Sequence, residues 1–424
     1  MPFDYLPVTM ELLGRSHSPF HAVYQMQQAL LSSDFTKLEE SKRFDVRRGG
    51  KYFITRNGTS IIAFMIPENA ALGLRLAATH NDSPTFAVKP NPVLKKGSVT
   101  SINVEPYGGG IYYSWFDRPL SMAGRVIVNI NGETFATVVD IDEDILIIPS
   151  LAIHQNREVN KGYEFNAARD MVPLWLDHDY EGDFSSYLMQ KCGIEEGEII
   201  AHDLSLYVRE EPRLICEGSL LVAPRLDDLA SSYTSLLGFI EACENKTEGY
   251  IPVFVSLDNE EVGSLTAQGA NSDFLRRTLN RLFAALELDE DEKGIALTNS
   301  IMLSVDNAHA NHPNHPEKAD PTTKVALNGG IVIKYNADQR YTSNSLSAAY
   351  VKNLAAKLGQ PIQEFTNRSD LRGGSTLGNI SNSEVSILSA DIGIAQLAMH
   401  SSVETCGAED IAHMAVLLKA HYLG

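Results

Sequence analysis

PVFVSLDNEEVGS, residues 252–264, runs from a short apolar stretch into Asp258, Glu260 and Glu261. A run of this length with β-branched and aromatic residues predicts a buried strand. In an open α/β sheet, ligands bind beyond the carboxyl ends of the strands, which is where these acids would stand. The pattern recurs outward from this stretch. LRLAAT (74–79) runs into His80 and then Asp82, and LLVAPRL (220–226) into Asp227 and Asp228. IMLSV (301–305) runs into Asp306, and AQLAM (395–399) into His400. Acids and imidazoles placed this way five times suggest one shared site.

Helical patterns lie between the apolar runs. Residues 18–31 open with Ser-Pro, a good N-cap and first-turn pair. Asp227–Cys243, Ser272–Leu286 and Asn344–Leu358 follow at helical spacing, with Gly359 as a stop. A last helix over 408–423 carries Glu409 and Asp410 in its first turn, where negative charge suits the helix dipole. The matching strand-length runs are Ala71–Thr79, Ser219–Ala223, Pro252–Leu257, Ile301–Val305 and Val385–Leu388. Alternating strands and helices predict an α/β fold, a mixed-sheet domain with helices on both faces. Residues 92–216 lack that alternation. There Val126–Ile130 and Glu133–Val139 flank Asn131-Gly132, a strong hairpin signal. The expected organisation is a catalytic domain of residues 1–91 and 217–424, interrupted by a β-rich domain at 92–216.

Composition bounds the partners. The 424 residues carry a formal charge of -19 and a pI near 5.0, which argues against nucleic-acid binding. With 44% hydrophobic and 21% charged residues, the chain has ample material for a large core. Cys192, Cys216, Cys243 and Cys406 are far apart, form no CxxC pair, and read as small apolar residues. The first residues do not read as a signal peptide, and no apolar run approaches the roughly 20 residues that span a bilayer. The expectation is a cytoplasmic protein without a membrane partner.

Taken singly, the candidate residues have plainer readings. Asp227-Asp228 can cap a helix, Asp306 can sit in a turn, His400 can be a core or surface histidine, and Glu260-Glu261 can be a solvated pair. Jointly, two imidazoles with three or more carboxylates form a nitrogen–oxygen donor set suited to zinc, or less tightly to manganese or cobalt. Five groups exceed what one catalytic zinc takes and suit two divalent ions bridged by a carboxylate, about 3.5–4 Å apart. His80-Asn-Asp82 has the form of a ligand with the carboxylate that orients it. Adjacent Glu260 and Glu261 point in different directions, so one can bind metal while the other serves as base. His309, His312 and His315 lie in a proline-containing stretch, better read as a loop lining the site beside Asp306 than as ligands.

These residues resemble the aspartyl aminopeptidases, within the wider group of dinuclear zinc exopeptidases. The likeness is carried by THNDSP (79–84), EPYGGG (105–110), WFDR (115–118), LAIH (151–154) and RLD (225–227). It continues through NEEVGS (259–264), HANHPN (309–314), NADQRY (336–341), RGGSTLG (372–378) and QLAMHS (396–401), and SPFHAV (18–23) extends it to the N-terminal region. The resemblance implies that Asp227 bridges two metals, His80 and Asp306 holding one with it, Glu261 and His400 the other. Asp82 would orient His80, and Glu260 would be the general base. Tyr341 would stabilise the oxyanion, and Lys334 would bind substrate, pairing with an acidic side chain. His154 would reach a neighbouring subunit's site. The β-rich insertion would be a dimerisation domain, and the assembly a homo-oligomer, a dodecamer built from dimers. The implied activity is hydrolysis of the N-terminal peptide bond, with a preference for Asp or Glu. The alternatives are a neutral-residue aminopeptidase, a carboxypeptidase or deacylase of the same group, or a non-catalytic relative. Asp228, Asn259 and Ala395 depart from the expected Asn, His and Pro. None is a proposed ligand, but they put substrate preference in doubt.

Overall fold

The computed structural model describes residues 4–69, 73–176, 178, 181–245, 249–371, 373–374 and 376–424, without the side chains of 379–381. The chain forms two compact units. One comprises the chain through Asp82, Pro212–Met399 and Glu404–Gly424; the other comprises Ser83–Glu211 and His400–Val403.

The first unit is built on a nine-stranded mixed sheet. Its four central strands, Tyr250–Leu257, Gly73–His80, Ile301–Val305 and Leu388–Gly393, are neighbours in that order and run parallel. Thr36–Leu38, Lys51–Arg56 and Ser60–Met65 complete one side, Ile331–Tyr335 and Ile362–Thr366 the other. Alternate residues of each strand feed opposite cores, as the period of two requires. From the strand Tyr250–Leu257, Phe254 packs with Leu229, Tyr233 and Leu417 of the helices Leu226–Glu244 and Ala408–Leu423. Ile251, Val253 and Val255 pack on the other face with Phe274, Leu279 and Leu282 of the helix Phe274–Ala285. Helices therefore cover both faces, and central strands buried on both sides read as continuous apolar runs.

The local signals act as chemistry dictates. Asn344 caps the helix Ser345–Leu358 by accepting from the Leu346 and Ser347 amides, and Gly359 ends it at φ +65°. One expected strand is displaced. Val385–Leu388 is largely a connection, and the strand is Leu388–Gly393. Its Ser389 and Asp391 are buried polar residues satisfied by hydrogen bonds, from Asn382 to Ser389 and from Thr342 and Thr376 to Asp391. They break the apolar run that sequence reading relies on. Of the expected strand Ala71–Thr79, Ala71 and Leu72 lie outside the described residues. Among the described residues no helix is long and apolar enough to cross a membrane.

The second unit is a six-stranded antiparallel sheet around Trp115, Met122, Val126, Leu204 and Leu206. Asn131 and Gly132 both have positive φ, 52° and 91°, as the hairpin turn requires. The break read near 92 falls inside this unit's first strand, Thr85–Lys96. Phe86 and Val88 belong to its core, and nothing in their composition separates them from the run before them.

A buried histidine ties the C-terminal helix to the central sheet. His421 donates from Nε2 to the Leu76 carbonyl (2.8 Å) and accepts at Nδ1 from the Tyr350 hydroxyl (2.9 Å). Burial pushes its pKa down to about 3, with Arg75 adding to the fall. Its neutral form is native, so the unfolded chain binds the extra proton below pH 6.5. Stability from this residue is fully present above about pH 6.5 and is lost as pH falls toward 3. Apparent melting temperatures from pH 7 to 4 should fall less steeply in a His421→Gln variant than in the parent; equal slopes would remove His421 from the acid limb.

Candidate active site

Three central parallel strands end at the same edge of the sheet. Leu257 is in register with His80, and Ser304 with Ala78. Asp306 lies two residues past Ser304, as His80 lies two past Ala78, and the Glu260-Glu261 turn follows Leu257 directly. The five carboxyl ends read as one sheet belong to two. Asp227 and His400 follow the strands Leu220–Ala223 and Ala395–Leu397 of a separate five-stranded sheet.

His80 is 1% exposed. Its Nδ1 lies 3.1 Å from the Asp82 carbonyl oxygen and 3.4 Å from the Asp82 carboxylate. A carbonyl only accepts, so Nδ1 carries a proton, and a metal-binding imidazole would present its lone pair from Nε2. Nε2 faces Asp227 Oδ1 at 3.5 Å and Asp306 Oδ1 at 3.9 Å. Asp82 is fully buried and does more than face the imidazole. Its two oxygens accept the backbone amides of Glu260 and Glu261, each at 3.1 Å. One carboxylate thus connects a histidine donor to the turn that carries both glutamates.

Asp227 and Asp228 lie within the helix Leu226–Glu244 as assigned, but neither has helical backbone angles. Arg225, which precedes the helix, makes no side-chain cap hydrogen bond, and the two acids sit at a kink in the helix's first turn. Asp228 Oδ2 accepts the His80 amide at 3.3 Å. Atoms of His80, Asp228 and Asp306 lie within 4.8 Å of one another, and oxygens of Asp227 and Glu261 come equally close together. Sequence reading counted Asp228 among the acids ending the run at 220–226 but did not single it out as a candidate ligand, whereas the structure groups it with His80 and Asp306. The doubled acid at a strand–helix junction was the available signal.

The electrostatics show what these groups lack. Burial drives the Asp228 carboxyl well above its ordinary range; His80 opposes the shift, while Asp306 and Asp227 add to it. Burial also raises Asp306, against the pull of Lys334. Burial pushes Glu260 up to about 7, with His80 opposing and Asp306, Asp82 and Asp227 adding. Burial works to lower His80, but hydrogen bonding to Asp227 and Asp82 and the nearby charges hold it well above its usual value. Asp228 Oδ1 is buried without a hydrogen-bond donor among the described residues. Buried carboxylates at such spacing are stable only with compensating positive charge. The donors are imidazole nitrogen and carboxylate oxygen, and all four cysteines are free thiols outside these groups. The set fits zinc or a similar divalent ion.

The remaining expected residues are placed as follows. Lys334 is buried and donates to the Asp306 and Asn307 carbonyls at 2.7 and 3.3 Å, and it lies 3.3 Å from Asp306 Oδ2. Tyr341 is buried, its ring centroid 5.2 Å from the Lys334 ammonium. His400 opens the short segment that groups with the second unit, its Nδ1 lying 3.1 Å from the Gly109 carbonyl. That contact also puts a proton on Nδ1, so a metal would meet the lone pair of Nε2. His154 is exposed in the second unit. His309, His312 and His315 are exposed, and none joins a donor group among the described residues.

Comparison with known proteins agrees with this donor chemistry. The family described as aminopeptidase I zinc metalloprotease (M18) matches residues 12–422. The chain is 39% identical over 423 residues to the probable M18 family aminopeptidase 2 of Clostridium novyi, covering 97% of each chain. It is 40% identical over 424 residues to that of Clostridium acetobutylicum, covering 97% of this chain and 96% of the relative. Among solved structures it is similar to Ape4 in its complex with Nbr1, with a TM-score of 0.94 and 33% identity over 99% of this chain and 85% of that one. It is also similar to prApe1, with a TM-score of 0.93 and 26% identity over 99% of this chain and 93% of that one. Nearly the whole length is matched, and the chain belongs to the M18 family of zinc metalloaminopeptidases.

Proposed function

We propose that this metalloaminopeptidase hydrolyses the N-terminal peptide bond with two divalent ions, zinc foremost, sharing Asp227. His80 and Asp306, joined here by Asp228, would hold one. Glu261 and His400, the residue after Met399, would hold the other. The observation that supports this most is the position of Asp227, 3.5 Å from His80 Nε2 and grouped with Glu261 as well. When bound, the ions would polarise the scissile carbonyl and acidify the attacking water.

The chain's own groups supply the rest. Glu260 is outside both donor groups, and without metal its burial raises its carboxyl pKa to about 7. Beside bound cations it would be ionised at neutral pH, able to take a proton from the attacking water and hand it to the leaving amine. Burial raises the Tyr341 pKa against the pull of Lys334, so its hydroxyl keeps its proton and can donate to a developing oxyanion. Lys334 gives its hydrogen bonds to the Asp306 and Asn307 carbonyls and pairs with the Asp306 carboxylate; when a metal shares that carboxylate, the ammonium charge would be released toward an acidic first side chain. We assign the preference for N-terminal Asp or Glu to that charge. We further assign the protein to the cytoplasm and to a homo-oligomer in which exposed His154 serves a neighbouring copy. The solved S. cerevisiae mApe1, with 25% identity, a TM-score of 0.86 and coverage of 98% of this chain and 96% of that one, is a dodecamer.

The test is mass spectrometry of a peptide pool, half of it N-terminally blocked, incubated with zinc-loaded protein and with a Glu260→Gln control. Stepwise loss from free N-termini alone, with Asp and Glu removed fastest, is expected. Equal rates for Asp and Leu would overturn the acidic preference. Loss from C-termini or release of the blocking group would move the activity to the carboxypeptidase or deacylase reading.

A further inference from the structure

Beneath Asp227 lies a buried polar relay that the proposed reaction does not use. Asp227 is joined to Leu226 by one peptide unit, and both polar ends of that unit are gripped by side chains from distant elements. Its carbonyl, Leu226 O, accepts from Asn307 Nδ2 at 2.7 Å. Its N–H, on Asp227, donates to Glu404 Oε2 at 2.9 Å. The two gripping residues are themselves joined. Asn307 Nδ2 also donates to Gln396 Oε1 at 2.8 Å, and Gln396 Nε2 donates to Glu404 Oε1 at 3.4 Å. Asn307 Oδ1 in turn accepts from Ser231 Oγ at 2.8 Å. Glu404, Gln396 and Asn307 are 2%, 1% and 3% exposed.

Fixing both ends of a peptide unit fixes its plane, and so restricts φ of Asp227 and the direction its carboxylate leaves the backbone. The relay also spans the site, because Asn307 directly follows Asp306. Its polarity is determined throughout. The Asn307 amide is a donor toward Gln396, so Gln396 must present oxygen to Asn307 and N–H to Glu404. Residue 404 must then accept twice, from Gln396 and from the Asp227 amide, which an ionised carboxylate does and a carboxamide cannot. Burying that carboxylate is unfavourable in isolation and is offset where cations gather nearby.

We infer that Glu404 is a positioning residue for Asp227, holding the shared metal ligand through its backbone amide with Gln396 and Asn307 as the connecting relay. The inference rests on the two-metal reading. A Glu404→Gln variant sets an N–H against either the Asp227 amide or Gln396. The double variant Glu404→Gln with Gln396→Glu restores every donor–acceptor match and the net charge.

The experiment titrates metal-free protein with zinc in competition with a chromophoric chelator, and records the visible spectrum of the Co2+-loaded form. In E404Q the affinity of the weakest site should fall about 10- to 100-fold, and the Co2+ bands should shift. The double variant should regain most of the affinity and the parental spectrum. Unchanged affinity and spectrum in E404Q would overturn the inference, and so would a double variant no better than E404Q. Should E404Q fail to fold, the double variant alone decides, since it should bind zinc as the parent does. A parent that binds fewer than two zinc ions overturns the two-metal reading, whereas a two-zinc parent with an indifferent E404Q overturns only the inference.

Discussion

Replacing Glu260 by Gln should lower kcat about 10³-fold while leaving two bound metals per chain and KM within a few-fold of the parent. The argument is geometric. Glu260 contributes to neither donor group, and its backbone amide, not its side chain, is held by Asp82. The substitution therefore leaves the turn and the neighbouring Glu261 in place. It removes a carboxylate that bound cations would keep ionised, and a carboxamide cannot accept the proton that the attacking water must lose. A loss confined to kcat is the signature of an interaction made on the way to the transition state. Steady-state kinetics beside metal analysis would check it. A kcat within tenfold of the parent, with metals retained, would remove Glu260 from proton transfer.

The second large effect concerns Asp227 and has opposite signs in two states. An Asp227→Ala variant should bind at most one metal per chain and lose activity by about 10³-fold or more. Without metal, the same variant should melt no lower than the metal-free parent, and higher by roughly 2–4 °C for each kcal/mol of relieved repulsion. Asp227 lies among His80, Asp228, Glu261 and Asp306, and its negative charge raises the carboxyl pKa of Asp228, Asp306 and Glu260. Removing one of several buried like charges relieves the rest when no cation is present. Calorimetry of both proteins, with and without zinc, reads both signs. A metal-free variant clearly less stable than its parent would show that Asp227 supports the fold rather than the metals.

Much of this was legible in the sequence, for a physical reason. Strands buried on both faces leave unbroken apolar runs, so the polar residue that ends each run is conspicuous. That is how His80, Asp227, Glu260, Glu261, Asp306 and His400 were singled out as candidates. The placing of Asp228 beside His80 and Asp306 was not legible, because the doubled acid reads equally well as a helix cap, and the contact to the His80 amide comes from a strand distant in sequence. The strand Leu388–Gly393 was misplaced because its interior polar groups are satisfied by residues distant in sequence. Glu404 was invisible for the same reason. Nothing within ValGluThr at 403–405 says that the glutamate is buried against a backbone amide 177 residues away. The second unit's first strand opens with Phe86, Ala87 and Val88, apolar like the strand before it, so composition alone put the start of the insertion later than the boundary at Ser83.

The order of strands in the catalytic sheet bears on how the protein is made. Ser60–Met65 and Gly73–His80 are consecutive in the chain but are not partners; Tyr250–Leu257 lies between them. A ribosome therefore releases two strands, buried on both sides in the finished molecule, long before the strand that joins them exists. Until residue 257 emerges, each has an open edge on which another chain could pair. The inserted unit is synthesised during that interval, and all its segments except His400–Val403 are contiguous. It can close on itself while the catalytic sheet waits. The insertion thus lengthens the time during which two strands buried on both faces in the finished fold keep an open edge.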